Sequence, residues 1–461
     1  MESTRHRFMW RCQRINDFSA LDDRDPIPQR RSWWCRNILL TSTRGLLMTL
    51  IDSRRLTEDL VRLGEIGRRV AGGLDRSSFS PADTAARQWY IDRCTRSGLD
   101  VQVDGIGNII VGSPIADALT DTDRPPVWSG SHIDTVPNGG AFDGALGTLA
   151  ALECLRRIHE EKLVLDRPVR CVVYADEEGN YAHLLGSRAI TGGVTRSELE
   201  SLTGRDGDRF VDTFTAAGGD VERAADSVLP EGAIDSSVEL HIEQGPVLEA
   251  QGIDIGLVTG IVGLGGGTIT LRGQADHAGT TPMSTRKDAG VGAGAVLLAL
   301  PGIAPMVSDR AVVTCGIVRL LPGGSNVVPE TAHISVDFRE PTAELVGVLE
   351  SAIIAEVESI AAEHGLDLEM EFEPTVPPVP MDEEVRDIIC AAVEARGLTQ
   401  MSIPSGAGHD SQNISTVAPT GMIFVPSIGG RSHCPEEETR WDDVGNGAQI
   451  LLDTIIGLAN R

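Results

Sequence analysis

The chain has 461 residues, 41% of them hydrophobic and 23% charged, and a formal net charge of −27. That length exceeds what one hydrophobic core usually serves, so two domains are expected. The acidic balance argues against nucleic-acid and anionic-membrane partners, which need basic patches, and no apolar run of about 18 or more residues is read, so no transmembrane helix is expected.

Residues 1–47 differ from the rest, with nine arginines, five acids and three of the six tryptophans. They show no amphipathic period. Five acids argue against a transit peptide, so 1–49 is expected to be a disordered extension, or to follow an upstream start with Met48 as the working one. Helical spacing is read over 56–70. Ser80-Pro81 opens a second helix, the serine as N-cap and the proline in the first turn. Strands are expected at 99–103 and 108–111. The apolar Pro126-Val127-Trp128 leads into Gly130-Ser131-His132-Ile133-Asp134, and a helix follows over 144–160. A strand over 169–174 leads into Asp176-Glu177-Glu178-Gly179, then a helix start at Leu185. Residues 196–228 read as helical and polar, and 238–242 as a short strand ending in His241.

Strands alternating with helices imply a mostly parallel α/β sheet flanked by helices. After Gly263 the texture changes to alternating strands at 268–271, 312–318, 332–338 and 366–372, with helices over 286–299 and 342–364. The order β-α-β-β-α-β is ferredoxin-like. A Pro-rich exit follows, and α/β texture resumes at Met381. The expected division is 50–264 and 378–461 for a first α/β domain, with 265–377 inserted as a second. The Gly265-Gly266-Gly267 run at the entry of the insert is expected to loosen a hinge.

Eight cysteines occur with no C-x-x-C pair. Cys154, Cys171 and Cys315 lie in apolar runs, which suits buried thiols in a reducing, cytoplasmic setting. With only Lys162 and Lys287, lysine-based chemistry has few candidates.

The chemistry concentrates just past strand ends. His132 can offer a ring nitrogen to a metal, and Asp134, two residues on, can bond the other ring nitrogen and fix its tautomer. Asp143 sits in a Gly-Gly-Ala-Phe-Asp-Gly loop, whose glycines let the backbone pass close to an ion. A carboxylate there can bridge two ions. The adjacent acids Glu177 and Glu178 repel and lose hydration at the end of a buried strand, so they need a cation or a proton. Ligation by one and proton transfer by the other would answer both. His241 and His433 complete five ligand-type residues. Taken singly, each reads as readily as a satisfied structural histidine or a turn acid. Five just past strand ends of one plausible sheet make a zinc-type hydrolytic site.

The segments around these residues resemble the amidase/hydantoinase/carbamoylase branch of the dinuclear zinc hydrolases, over about 56–458. The motifs are Gly-Ser-His132-Ile-Asp134, Phe-Asp143-Gly, Glu177-Glu178-Gly, His241-Ile-Glu-Gln244-Gly-Pro, Asp276-His277-Ala-Gly, Gly-Gly-Ser-Asn326, Asp337-Phe-Arg339, Gly-His409-Asp410 and Ser432-His433. The resemblance implies a zinc-exopeptidase-like catalytic sheet, an inserted lid/dimerisation domain and a homodimer. It implies two divalent ions, zinc first and manganese, cobalt or nickel as alternatives. One would be held by His132, Asp143 and His241, the other by Asp143, Glu178 and His433. Glu177 would be the general base, with Gln244, His277, Asn326 and Arg339 around a small ureido carboxylate. The implied reaction is N-carbamoyl-L-amino acid hydrolysis. Allantoate hydrolysis is the near rival, and an aminoacylase, a dipeptidase or a silent binding protein a more distant one. Asn180-Tyr181 and the short stretch to Gly186 depart from the branch's pattern beside the site.

Overall fold

The structure, a computed structural model, describes residues 49–120, 123–224 and 227–461; the extension expected at the N-terminus and its cysteines Cys12 and Cys35 lie outside the described residues, apart from Thr49. The first sheet contains β1 (Asp100–Val103), β2 (Ile109–Gly112), β3 (Val127–His132), β4 (Val169–Tyr174), β5 (Ser236–Ile242) and β6 (Ile255–Ile261). A second sheet follows with β7 (Gly263–Arg272), β8 (Val312–Thr314), β9 (Val318–Leu321), β10 (Thr331–Glu340) and β11 (Asp367–Phe372). The chain then returns to the first sheet through β12 (Val379–Pro380), β13 (Gln400–Ser405) and β14 (Thr420–Val425). Four long helices matter below: α1 (Ala145–Glu160), α2 (Ala289–Val307), α3 (Ala343–His364) and α4 (Trp441–Ala459).

The first sheet has the order β1-β2-β4-β3-β5-β14-β6-β12, with β13 on β6. Its centre, β4-β3-β5-β14, is parallel, while β1, β2 and β12 pair antiparallel at the flanks. β3, β5 and β14 are buried throughout, as expected of strands covered on both faces, and α1 and α4 pack against β3 and β5. Parallel pairing puts the carboxyl ends of these four strands on one edge, so whatever follows them shares one crevice.

The second sheet is antiparallel, with β7 and β10 central, β11 on one side and β8 and β9 sharing the other. Its β-α-β-β-α-β order is the expected one, but the second strand is split. The break falls at Cys315-Gly316-Ile317, where the Ile317 N–H goes to Ser335 Oγ instead of the ladder. Ile269, Leu271, Ile334, Val336 and Phe338 pack with Val296, Leu300 and Ile303 of α2 and Leu349, Ile353 and Val357 of α3. Where the chain enters and leaves this sheet, Leu264 and Val376 exchange both backbone hydrogen bonds.

Several expectations are corrected. The first helix spans Ser53–Leu63 and stops at Gly64, short of residue 70. Residues 196–228 form short helices, Arg196–Ser201, Phe210–Ala216 and Val221–Ala224, separated by glycines; residues 225–226 lie outside the described residues. Nor is the segment wholly polar, because Phe210 and Phe214 pack with Phe79 and Tyr181. Strand β6, absent from the sequence reading, carries β14, β12 and β13. Gly265 to Gly267 are no hinge. They are laddered to Val336–Phe338, and a Cβ at Gly265 would lie 2.3 Å from the Phe338 ring.

Helix α2 runs to Val307, beyond the expected end at 299. Pro301 and Pro305 lie on its exposed face, where the carbonyls they leave unbonded are open to water. Its 19 residues are long and apolar enough to cross a membrane by length and composition, contrary to expectation. Glycine, alanine and proline diluted that signal in the sequence. One face of α2 is covered by the second sheet, while Val291, Leu297, Leu298 and Met306 are exposed.

Candidate metal centre

All five ligand-type residues meet at the carboxyl edge of the first sheet. His132 ends β3, Asp143 stands in the loop between β3 and α1, Glu178 follows β4 beside Glu177, His241 lies on β5, and His433 stands in the loop after β14. Their donor atoms form overlapping trios, His132/Asp143/His241, His132/Glu177/Glu178 and Asp143/Glu178/His433, each with donor atoms within 4.8 Å of one another. Asp143 is shared: its Oδ1 lies 3.5 Å from His132 Nε2 and 3.3 Å from His241 Nε2, and its Oδ2 3.4 Å from His433 Nε2. Glu177 Oε2 is 3.4 Å from His132 Nε2, and Glu178 Oε1 3.6 Å from His433 Nε2. His132, Asp143, Glu177, Glu178 and His241 are buried; His433 is half exposed.

The main chain aims the imidazoles. His241 Nδ1 faces the Ile242 carbonyl at 2.9 Å, and His132 Nδ1 faces the Asp134 carbonyl at 3.1 Å, so Nε2 of each is turned to Asp143. The tautomer of His132 is therefore set chiefly by the backbone of Asp134. The Asp134 carboxylate lies 3.6 Å away and accepts from Ser78 Oγ and the Glu178 N–H, tying the two acid-bearing loops together. Gln244 also stands differently from expectation. Its Nε2 donates to Asp143 Oδ2 at 2.7 Å, so it braces the shared carboxylate.

The glycines of the Asp143 loop make room for side chains. Gly144 (φ 62°, ψ −44°) is the centre of a γ-turn closed by Ala145 N–H to Asp143 O at 2.6 Å. A Cβ there would lie 2.3 Å from His132 Nε2. Strained backbone recurs at Asp176, Gln244 and His433, all with φ between 54° and 58°.

The donor set fits divalent cations. Burial, opposed by His132 and reinforced by Glu178, drives the Glu177 carboxyl well above its ordinary range. Burial and the charge of Asp143 push Glu178 up to about 7. Asp143 is held well below the usual range against burial, by hydrogen bonds from His132, His241 and His433. The Asp143 bond lifts His433 to about 9. Such buried acids need compensating positive charge, and three imidazoles with three carboxylates are the N/O donors that zinc-like ions take.

The second sheet's residues stand apart from this cluster. His277 and Asn326 are exposed, their loops joined by the Ala278 N–H to the Asn326 carbonyl, and among the described residues neither hydrogen-bonds the cluster. Arg339 reaches across to the Gly406 carbonyl at 2.6 Å and pairs with Asp337 at 3.2 Å.

Other supports were given no role by the sequence. Glu437 sits under the Asp143 and His433 loops, and its signal was hidden in a run of three acids, Glu436 to Glu438. Buried Arg76 donates to the carbonyls of Ile133, Leu63 and Ile66, anchoring the turn after His132. His409 packs edge-on against His241, ring centroids 4.5 Å apart, and its Nε2 meets Ser405 Oγ at 2.8 Å. The departure Asn180-Tyr181 has a local reason: both N–H groups cap the Asp176 carboxylate, and the Tyr181 ring joins the Phe79 cluster.

Comparison with known proteins gives the chain's family. The chain is 38% identical over 385 residues to the N-carbamoyl-L-amino-acid amidohydrolase of Paenarthrobacter aurescens, covering 82% of this chain and 92% of that protein. It is 34% identical to the allantoate amidohydrolase of Escherichia coli, over 88% of this chain and 97% of that one. The crystal structure of an amidase of the hydantoinase/carbamoylase family from Burkholderia multivorans superposes with a TM-score of 0.81 at 32% identity, covering 90% of this chain and 99% of that one. Residues 128–456, the stretch that holds every ligand-type side chain described above, match the family model, and the chain belongs to peptidase family M20/M25/M40.

Proposed function

We propose that the chain is a two-metal amidohydrolase of the N-carbamoyl-L-amino acid type, cleaving the C–N bond of a ureido group beside a carboxylate. The observation that carries this is the pair of donor trios sharing Asp143, with Glu177 beside them. His132, Asp143 and His241 would hold one ion, and Asp143, Glu178 and His433 the other, zinc first among the candidates. Bound ions of this kind polarise a carbonyl and lower the pKa of water.

The chain's own residues do the rest. Glu177, buried and with its proton affinity raised, takes the proton of the attacking water and delivers it to the departing nitrogen. His277 and Asn326 supply donors to the developing oxyanion, and Arg339 grips the carboxylate. An N-carbamoyl-L-amino acid would give the amino acid, carbon dioxide and ammonia. Exposed His277 and Asn326 suit a site completed across a homodimer. The bare apolar face of α2, beside exposed Val312, Val318, Leu320 and Leu321 of β8 and β9, suits that second copy. The second sheet would then act as lid and dimerisation domain, spanning about 265–377. The buried Cys94, Cys154 and Cys171 suit a reducing cytoplasm.

Allantoate hydrolysis is the second reading, favoured by the similarity to the Escherichia coli enzyme. Ammonia release by the metal-loaded protein from N-carbamoyl-L-amino acids, allantoate and dipeptides separates the readings. Fastest turnover of the N-carbamoyl compounds is expected. No ammonia from any ureido substrate would refute the proposal.

A further inference from the structure

Glu437 is buried between two loops that are far apart in the sequence. Its Oε1 accepts the N–H groups of Phe142 at 2.8 Å and Asp143 at 3.0 Å. Its Oε2 accepts Ser432 Oγ at 2.8 Å and the His433 N–H at 3.3 Å. One carboxylate thus holds the backbone of both Asp143 and His433. The fold makes room for it: a Cβ at Gly140 would lie 2.2 Å from the Glu437 carboxyl, so only glycine admits that side chain. The Ser432 hydroxyl also lies 2.7 Å from Asp143 Oδ2. It has one proton, so it serves Asp143 or Glu437 but not both at once.

His433 needs such a tie more than the other ligand-type residues do. It is half exposed, its φ is 56°, and it sits on a loop, whereas His132 and His241 are fixed within buried strands. We infer that Glu437 is a positioning residue that sets the distance between the Asp143 and His433 loops, and thereby the affinity of the Asp143/Glu178/His433 group for its ion. This rests on the two-ion reading above. It assigns Glu437 no contact with substrate and no part in proton transfer.

Binding of Zn2+ to metal-free protein, by competition with a chromophoric chelator, tests the inference. The wild type should bind two equivalents. Glu437→Ala should keep one near its wild-type affinity and weaken the other by about 10–100-fold, the usual effect of removing a group that orients a metal ligand. Glu437→Gln keeps the volume and an acceptor for Phe142 and Asp143 but turns an N–H against the His433 N–H, so it should weaken the same equivalent by less. Gly140→Ala, which pushes the carboxyl aside, should resemble Glu437→Ala. Wild-type affinity at both equivalents in the Ala variant, or equal weakening of both, would overturn the inference. So would failure of both Glu437 variants to fold, since Glu437 would then serve the fold at large. A wild type that takes up no Zn2+ would instead refute the two-ion reading, so the two failures are told apart.

Discussion

Replacing Gly144 by alanine tests how the centre is built. Two costs follow from the geometry. The residue has φ 62° and ψ −44°, a conformation that strains any side chain by about 1–3 kcal/mol. The new methyl would also lie 2.3 Å from His132 Nε2, where ordinary contact needs at least 3.4 Å, so the imidazole or the turn must yield by more than 1 Å. Ligand distances in metal sites tolerate about 0.2 Å, and a displacement of about 1 Å near reacting groups costs about 100-fold in rate. Gly144→Ala should therefore remain folded with a lowered Tm, lose metal measured by elemental analysis after dialysis, and turn over about 100-fold more slowly at saturating metal. Gly347→Ala is the control. It lies within α3 with nothing within 4 Å of an added Cβ, and should stabilise slightly without touching activity. Wild-type metal content and turnover in Gly144→Ala would refute the reasoning, because His132 Nε2 would then not need the space that this glycine leaves.

The remaining predictions concern the acids, the carboxylate grip and the second copy. Glu177→Gln should keep metal near wild type and lower kcat by at least about 100-fold, while Glu178→Gln should lose metal; the reverse pattern in metal analysis and kinetics would exchange their roles. Arg339→Lys should lower kcat/KM for carboxylate substrates by about 1–3 kcal/mol and leave a carboxamide analogue nearly unaffected; equal loss on both would make the Gly406 contact, a link between the two sheets, its main purpose. Leu298→Glu with Met306→Glu, on the bare face of α2, should turn a dimer into a monomer in sedimentation velocity; an unchanged sedimentation coefficient would move the interface elsewhere.

The α/β sheet and the cluster of ligand-type residues at its edge were legible in the sequence and the element bounds less so, and the reason lies in what each signal depends on. His132 and His241 lie on strands and Asp143, Glu178 and His433 in loops beyond the carboxyl ends of strands, each within a short motif of ligand-type residues that local sequence carries. Element bounds depend on tertiary packing. The polar stretch after 196 breaks into short helices because Phe210 and Phe214 turn inward onto Phe79, a contact with a segment more than a hundred residues earlier. Helix α2 hides its apolar length behind glycines and prolines, and becomes readable only when one face is seen against β10. Glu437 was illegible for a third reason. Among three consecutive acids nothing local marks which one turns inward, and only the empty space above Gly140 decides it.

The overall charge of −27 likewise says little about the mouth of the site. Burial, and then Arg205, His433 and Arg339 in turn, lower the proton affinity of His183, so three basic groups lie close enough to be felt there. Arg205 donates to the Glu178 carbonyl at 2.6 Å and, among the described residues, meets no carboxylate within ion-pair distance. Two guanidiniums, Arg205 and Arg339, near buried acids have a consequence for selection. With ions compensating the floor, these guanidiniums would leave the rim positive and draw an anionic carboxylate to a chain that repels it at long range. Selection for an acid-bearing ureido substrate would then come from a few ångströms of local field, which is why Arg339 and the carboxamide analogue probe it more directly than any change in surface charge.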